Sequence, residues 1–227
     1  MDSNLTPLAL SLKVALISTA VVFLSGLVMA RFLTQKEFWG KNMVESLLLL
    51  PLVLPPTVVG FGLLLAFGKN GFLGKWLSDV FGLQIVFTLT GAVIASVVVS
   101  FPLMYQSAQA AFSSIDRRLE DAARTMGASE WRLFWTVSFP LAWPGLLAGL
   151  VLSFARGLGE FGATLMLAGY IPGKTDTIPV AIYFAVEAGQ MDKAMFWVIV
   201  IVALGLCTTV WLNWWSRRHL RRYAYKK

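Results

Sequence analysis

The chain holds one histidine, His219, and one cysteine, Cys207, among 227 residues. A single imidazole and a single thiol cannot build a nucleophile–base pair or a tetrahedral zinc site, which need several such groups converging on one point. The twelve acids lie almost entirely between the apolar runs, and no G-x-S-x-G, H-E-x-x-H or C-x-x-C occurs. The tract FGKNGFLGKW at 67–76 looks like a phosphate loop. However, five residues rather than four separate Gly68 from Gly74, and Trp76 stands where Ser or Thr would hold magnesium. It reads instead as a loop in which Gly71 and Gly74 supply turns, followed by a short amphipathic piece around Trp76 and Leu77. No catalysis, metal site or bound cofactor is expected of this chain, and the energy for any work must come from a partner or a gradient.

What the sequence does supply is apolar surface, with 57% hydrophobic residues and 14% charged, against about 25% charged in soluble domains. About 20 residues at 1.5 Å rise cross the hydrocarbon of a membrane. Leu47 to Phe67, Val80 to Ile115, Leu133 to Ala155 and Ala194 to Ser216 contain no Asp, Glu, Lys or Arg. Leu5 to Ala30 is broken only by Lys13, near enough to one end for its ammonium to snorkel. The pattern predicts an all-α polytopic membrane protein, one domain over 1–227, with spans at 9–31, 46–67, 86–108, 137–156 and 195–215. Phe161 to Gly173 and Thr177 to Val186 are too short to cross and are expected to be interfacial or re-entrant. Cys207 falls within the last span, where a small buried apolar role is expected. The start, MDSNLTP, has no basic n-region, so the first span is expected to stay in the protein.

Five spans put the termini on opposite sides of the membrane. With the C-terminus inside, the inner segments carry 13 of the 19 Lys and Arg residues, among them Arg31, Lys36, Lys41, Arg117, Arg118, Arg124 and Arg132. Because cytoplasmic segments are the basic ones, the N-terminus is expected outside and 113–136 in the cytoplasm. The tail SRRHLRRYAYKK, directly after a span, is expected to meet anionic lipid rather than nucleic acid.

The stretch EDAARTMGASEWRLFWTVSFP at 120–140 interrupts this apolar sequence. At 3.6 residues per turn Leu119, Ala122, Ala123 and Met126 share one face, and Glu120, Asp121 and Arg124 lie towards the other. Asp116 can cap the start, and Gly127 suits the left-handed position that ends a helix. After a turn at Ala128-Ser129, Glu130 to Trp135 is expected to open a second helix at another angle. On these grounds the element either docks a partner or packs beneath its own membrane domain.

The spacing Asp121-Ala122-Ala123, three residues, Gly127, nine residues, Val137, one residue, Phe139-Pro140 resembles the EAA signature of ABC-importer permeases, with Asp for Glu, Val for Ile and Phe for Leu. The resemblance implies that Glu120, Asp121, Ala122, Ala123, Arg124, Gly127 and Pro140 belong to coupling helices seated on cytoplasmic ABC ATPase subunits, which use the ATP and Mg. It also implies a second copy of the chain, an extracytoplasmic oxyanion-binding protein and a bacterial inner membrane. LPLVLPPTVVGFGLLL at 50–65 and FARGLGEFGATLMLAGYIPGKTDTIPVAIY at 154–183 resemble molybdate-importer permeases, and sulfate permeases share the Arg-x-x-Gly-Glu run. The implied cargo is a tetrahedral oxyanion, molybdate first, with tungstate and sulfate as alternatives.

Within those two runs, Pro51, Pro55 and Pro56 remove backbone donors and are expected to kink the second span. Thr57 follows directly, with Gly60 and Gly62 suited to close helix contact. Arg156 and Glu160, four apart, are expected on one helical face near the outer end of the fourth span, either as a neutralising pair or in contact with the anion. Pro55, Pro56, Thr57, Arg156 and Glu160 are the candidate path or gate. A secondary transporter or channel is the competing class. It would show proton-relay acids within spans and inverted repeats, and neither is visible.

Overall fold

Long uncharged runs become helices because hydrocarbon offers their amides no other hydrogen-bond partner. The computed structural model describes residues 5–224, arranged as α1 (Thr6–Gln35), α2 (Lys41–Val53), α3 (Pro56–Phe67), α4 (Phe72–Phe81), α5 (Leu89–Ser113), α6 (Arg117–Thr125), α7 (Glu130–Leu133), a π-helical turn (Phe134–Ser138), α8 (Phe139–Leu158), α9 (Gly162–Ala168), α10 (Ile178–Glu187) and α11 (Met191–Ala224). No strand occurs among the described residues. The side chains of the basic tail at 216–227, and residues 1–4, lie outside the described residues.

Four helical runs are long and apolar enough to cross a membrane: Thr6–Gln35, Leu89–Ser113, Glu130–Leu158 and Met191–Trp211. The expected span at 46–67 is not one helix. α2 and α3 meet at 114°, a corner rather than a kink. The cause is local, because two consecutive prolines lack N–H groups and force the residue before each into extended backbone. Leu54 (ψ 144°) and Pro55 (ψ 137°) are both extended, whereas Pro51 is absorbed within α2.

This broken pair still carries the chain across. α1 and α5 run parallel, since Ser96 Oγ donates to Ser18 Oγ at 2.9 Å and, farther along both helices, Gly26 lies against Met104. α8 runs opposite to them, with Gly149 against Met104 and Gly157 against Ser18 and Ser96. Two parallel crossings require a return between them, and α2–α3 makes it. Near the far end of α5, Glu45 of α2 accepts hydrogen bonds from Tyr105 Oη (3.2 Å) and Gln109 Nε2 (3.0 Å). At the other end α3 packs on α9, whose Leu167 carbonyl accepts from Phe87 N–H just ahead of α5.

The core is the α1–α5–α8 bundle, built on Val22, Leu33, Met104, Tyr105, Ala142 and Leu146. α11 stands at its edge, held through Trp197 against Ile178 and Ala181 of α10. Cys207 is exposed, in an open apolar cleft between α11 and Leu150, Val151 and Phe154 of α8, and not buried as expected.

Glu130 does open a second helix behind the Ser129 cap, as expected, but that helix is continuous with the span, since α7 runs through the π-helical turn directly into α8. Pro140 cannot donate to the ladder, and the turn before it is wound wider, with Phe139 N–H bonded to the Phe134 carbonyl five residues back. Gly74 lies inside α4 rather than in a turn, where a Cβ would fall 2.2 Å from the Gly68 carbonyl oxygen.

Candidate functional site

α6 is bounded as its residues dictate. Asp116 Oδ1 accepts from Arg118 N–H at 2.9 Å at the start. At the end Gly127 adopts φ +82°, with Ala128 N–H on the Ala123 carbonyl (3.1 Å) and Gly127 N–H on the Arg124 carbonyl (2.9 Å), a Schellman closure. Ser129 then caps α7 by accepting from Arg132 N–H.

The faces of α6 differ from the expected division. Leu119, Ala122 and Met126 are exposed, and Met126 is 82% so. Ala123 is buried, and Glu120 turns inward with it. Glu120 Oε1 accepts from Arg31 Nη1 of α1 at 2.9 Å and from Ser138 Oγ at 2.6 Å. The Arg31 guanidinium lies over the rings of Phe112 (5.6 Å) and Phe134 (5.9 Å). Burial opposes the charge on Glu120, but the Ser138 and Arg31 hydrogen bonds outweigh it and hold the carboxyl below the usual glutamate range.

Around the rim, Arg124 joins α6 to α7 through Glu130 Oε1 (2.7 Å) and also binds Asp121 Oδ1 (3.0 Å). Trp131 and Trp135 stand exposed beside them, edge to face at 5.7 Å. This end of the molecule therefore offers exposed apolar side chains with charged groups between them. Pro140 lies apart from this cluster, in the first turn of α8.

Arg31 and Ser138 were not legible as members of this site. Arg31 is the first charge after the uncharged run 14–30, the same signal that any lipid-facing stop residue gives. Only the fold brings it to its partner Glu120, 89 residues away in sequence.

The second cluster lies at the other end of α8. Pro56, Thr57, Arg156 and Glu160 line one cleft of about 340 Å³, and Pro55 sits at the corner immediately before it. Glu160 follows the C-cap Gly159 rather than sharing a helical face with Arg156, yet it reaches back to within 2.6 Å of Arg156 Nη1. Its other oxygen accepts from Ala163 N–H at 2.8 Å, at the first turn of α9. The contact to Arg156 is an ion pair out of hydrogen-bond alignment, so Glu160 Oε2 is buried without a hydrogen bond. Gly162 lets the corner approach, since a Cβ there would lie 3.1 Å from Pro56 Cβ. The cleft thus presents a partly exposed guanidinium paired with a buried carboxylate. No group of three His, Cys, Asp or Glu side chains suited to a metal occurs among the described residues.

Residues 22–222 match the family described as binding-protein-dependent transport system inner membrane component. The chain is 43% identical over 216 residues to the molybdenum transport system permease protein ModB of Haemophilus influenzae, covering 95% of this chain and 94% of the other. It is 35% identical over 203 residues to the sulfate transport system permease protein CysW of Synechocystis, covering 89% and 73% respectively. Among solved structures, a bacterial ABC transporter that imports the acidic polysaccharide alginate shares the fold, with a TM-score of 0.73 at 19% identity over 96% of this chain and 80% of the other.

Proposed function

We propose, from the fact that the chain belongs to the binding-protein-dependent transport system inner membrane component family, that it is the permease subunit of an ATP-driven molybdate importer. The observation that carries the cargo is near full-length similarity at 43% identity to a protein named for molybdenum transport, against 35% for one named for sulfate. The chain itself is not the enzyme. ATP and Mg are used by cytoplasmic ABC ATPase subunits that meet the exposed face of α6. An extracytoplasmic binding protein delivers the oxyanion at the opposite end, and nucleic acid has no part.

The geometry supports a route for the work. α7, the π-helical turn and α8 form one helical run, Glu130–Leu158, which begins beside α6 and ends two residues past Arg156. A push on α6 can therefore reach the cleft at Pro56, Thr57, Arg156 and Glu160 along a single element. One chain encloses a path poorly, and a second copy about a two-fold axis completes it. The 13 to 6 bias of basic residues supports a multi-pass orientation in the bacterial inner membrane with the N-terminus outside and the C-terminus cytoplasmic.

Sulfate and tungstate are the alternative cargoes, being tetrahedral dianions of the same charge, and the CysW similarity favours sulfate as the second reading. Vesicles containing this chain, its ATPase and its binding protein should accumulate labelled molybdate only with ATP, and excess sulfate should compete poorly. Uptake of sulfate without molybdate would replace the cargo.

A further inference from the structure

Of the charged residues in α6, Glu120 alone turns inward, its side chain 12% exposed against 70% for Asp121 and 38% for Arg124, with Arg117 and Arg118 exposed as well. Neither end of the helix needs it, because Asp116 and Gly127 close them, and Arg124 with Glu130 makes the joint to α7. Instead, its carboxylate is the meeting point of segments far apart in sequence. Arg31 comes from the last turns of α1, and Ser138, fully buried, is the final residue of the π-helical turn. The Arg31 cation lies against Phe112 in the last turn of α5 and against Phe134 at the start of the π-helical turn. A partly buried ion pair with both partners hydrogen-bonded is costly to break by removing one side, since the other is left uncompensated.

We propose that Arg31 and Ser138 are positioning residues that act through Glu120, making α6, α1 and the start of α8 move as one body when a partner displaces α6. This rests on the reading of α6 as the ATPase contact. The π-helical turn makes the tie necessary. Its ladder is wound by one extra residue and Pro140 cannot donate to it, so this is where the run into α8 yields most easily if pulled from α6 alone. Ser138 fastens the far end of that turn to the same carboxylate that Arg31 holds. Without the node, ATP turnover continues while the spans fail to follow.

The test uses the assembled complex of this chain with its ATPase in lipid vesicles, carrying Arg31→Met, Arg31→Lys, Glu120→Gln or Ser138→Ala. Arg31→Met and Glu120→Gln should retain the ATPase and hydrolyse ATP, but molybdate carried per ATP should fall about fivefold or more, the usual scale of a lost coupling. Arg31→Lys, which keeps the charge, should recover part of that ratio, and Ser138→Ala gives a gentler change in the same direction if the larger substitutions fail to insert. A readout independent of cargo is hydrogen exchange with and without trapped nucleotide. In the wild type the change should extend from 117–138 to the amides of Leu54 and Thr57 and to 156–162, and in Arg31→Met it should stop at 138. Unchanged transport per ATP in both variants overturns the proposal, as does loss of ATPase binding in both, which would make the node part of docking. If the wild type shows the long-range exchange change yet carries no molybdate, the cargo reading fails and the node stands. A wild-type chain that captures no ATPase removes the reading of α6 and the proposal with it.

Discussion

Two inward-facing carboxylates, Glu120 and Glu160, each meet an arginine and a second donor, and their surroundings predict different behaviour. Glu120 has its pKa lowered in the fold, so it stabilises the node at any pH above its unfolded value, and that contribution is lost as pH falls through the lower folded value. Protection of 117–125 from amide exchange, taken relative to the intrinsic rate at each pH, should therefore hold through the neutral and mildly acid range and fall only below the ordinary glutamate range. In Glu120→Gln, whose amide oxygen can still accept from Arg31 and Ser138, protection should be lower at neutral pH and should lose this acid step. Glu160→Gln is a cleaner change than it looks. The retained amide oxygen can still accept from Ala163 N–H, so α9 keeps its place while Arg156 loses its counterion. Transport or its coupling should fall without loss of membrane insertion, read by uptake alongside the amount of protein in the membrane fraction. Normal uptake by that variant would remove Glu160 from the mechanism.

Among elements, α6 and the α2–α3 corner carry the sharpest expectations. The helical period of α6, its Asp116 cap and its Gly127 stop follow from local residue types, and all three occur in the fold. The face that points inward does not follow from them, because it is chosen by Arg31 and Ser138, which no local window contains. Met126→Asp, at an outward position, should reduce ATPase co-purification severalfold with little effect on folding, whereas Ala123→Trp should overpack the inner side. At the corner, α3 and α9 touch through Gly60, where a Cβ would lie 2.7 Å from the Ala163 Cα. Backbone cannot yield as a flexible side chain can, so Gly60→Val should cost about 1–3 kcal/mol, measured as thermal stability in detergent. Gly62→Ala, on the same helix with nothing within 4 Å, should change it far less.

For the whole molecule, parallel α1 and α5 with antiparallel α8 demand a return crossing by α2–α3, which places Trp39 and Lys69 at opposite ends. Trp39 is fully exposed, so both sites can be probed. In a Cys207→Ala background, Trp39→Cys should be labelled by an impermeant thiol reagent only after the membrane is opened, and Lys69→Cys in intact cells. The reverse pattern would invert the proposed orientation. By itself, the sequence determined the apolar runs, the basic bias, the caps of α6 and the EAA-like spacing, because hydropathy, charge and capping are properties of short windows. The tertiary structure alone decided that Pro55 and Pro56 make a corner against Gly162, that Arg156 and Glu160 share its cleft, and that Arg31 and Ser138 hold Glu120. These contacts join residues far apart in the chain, and their energies depend on which helices run side by side.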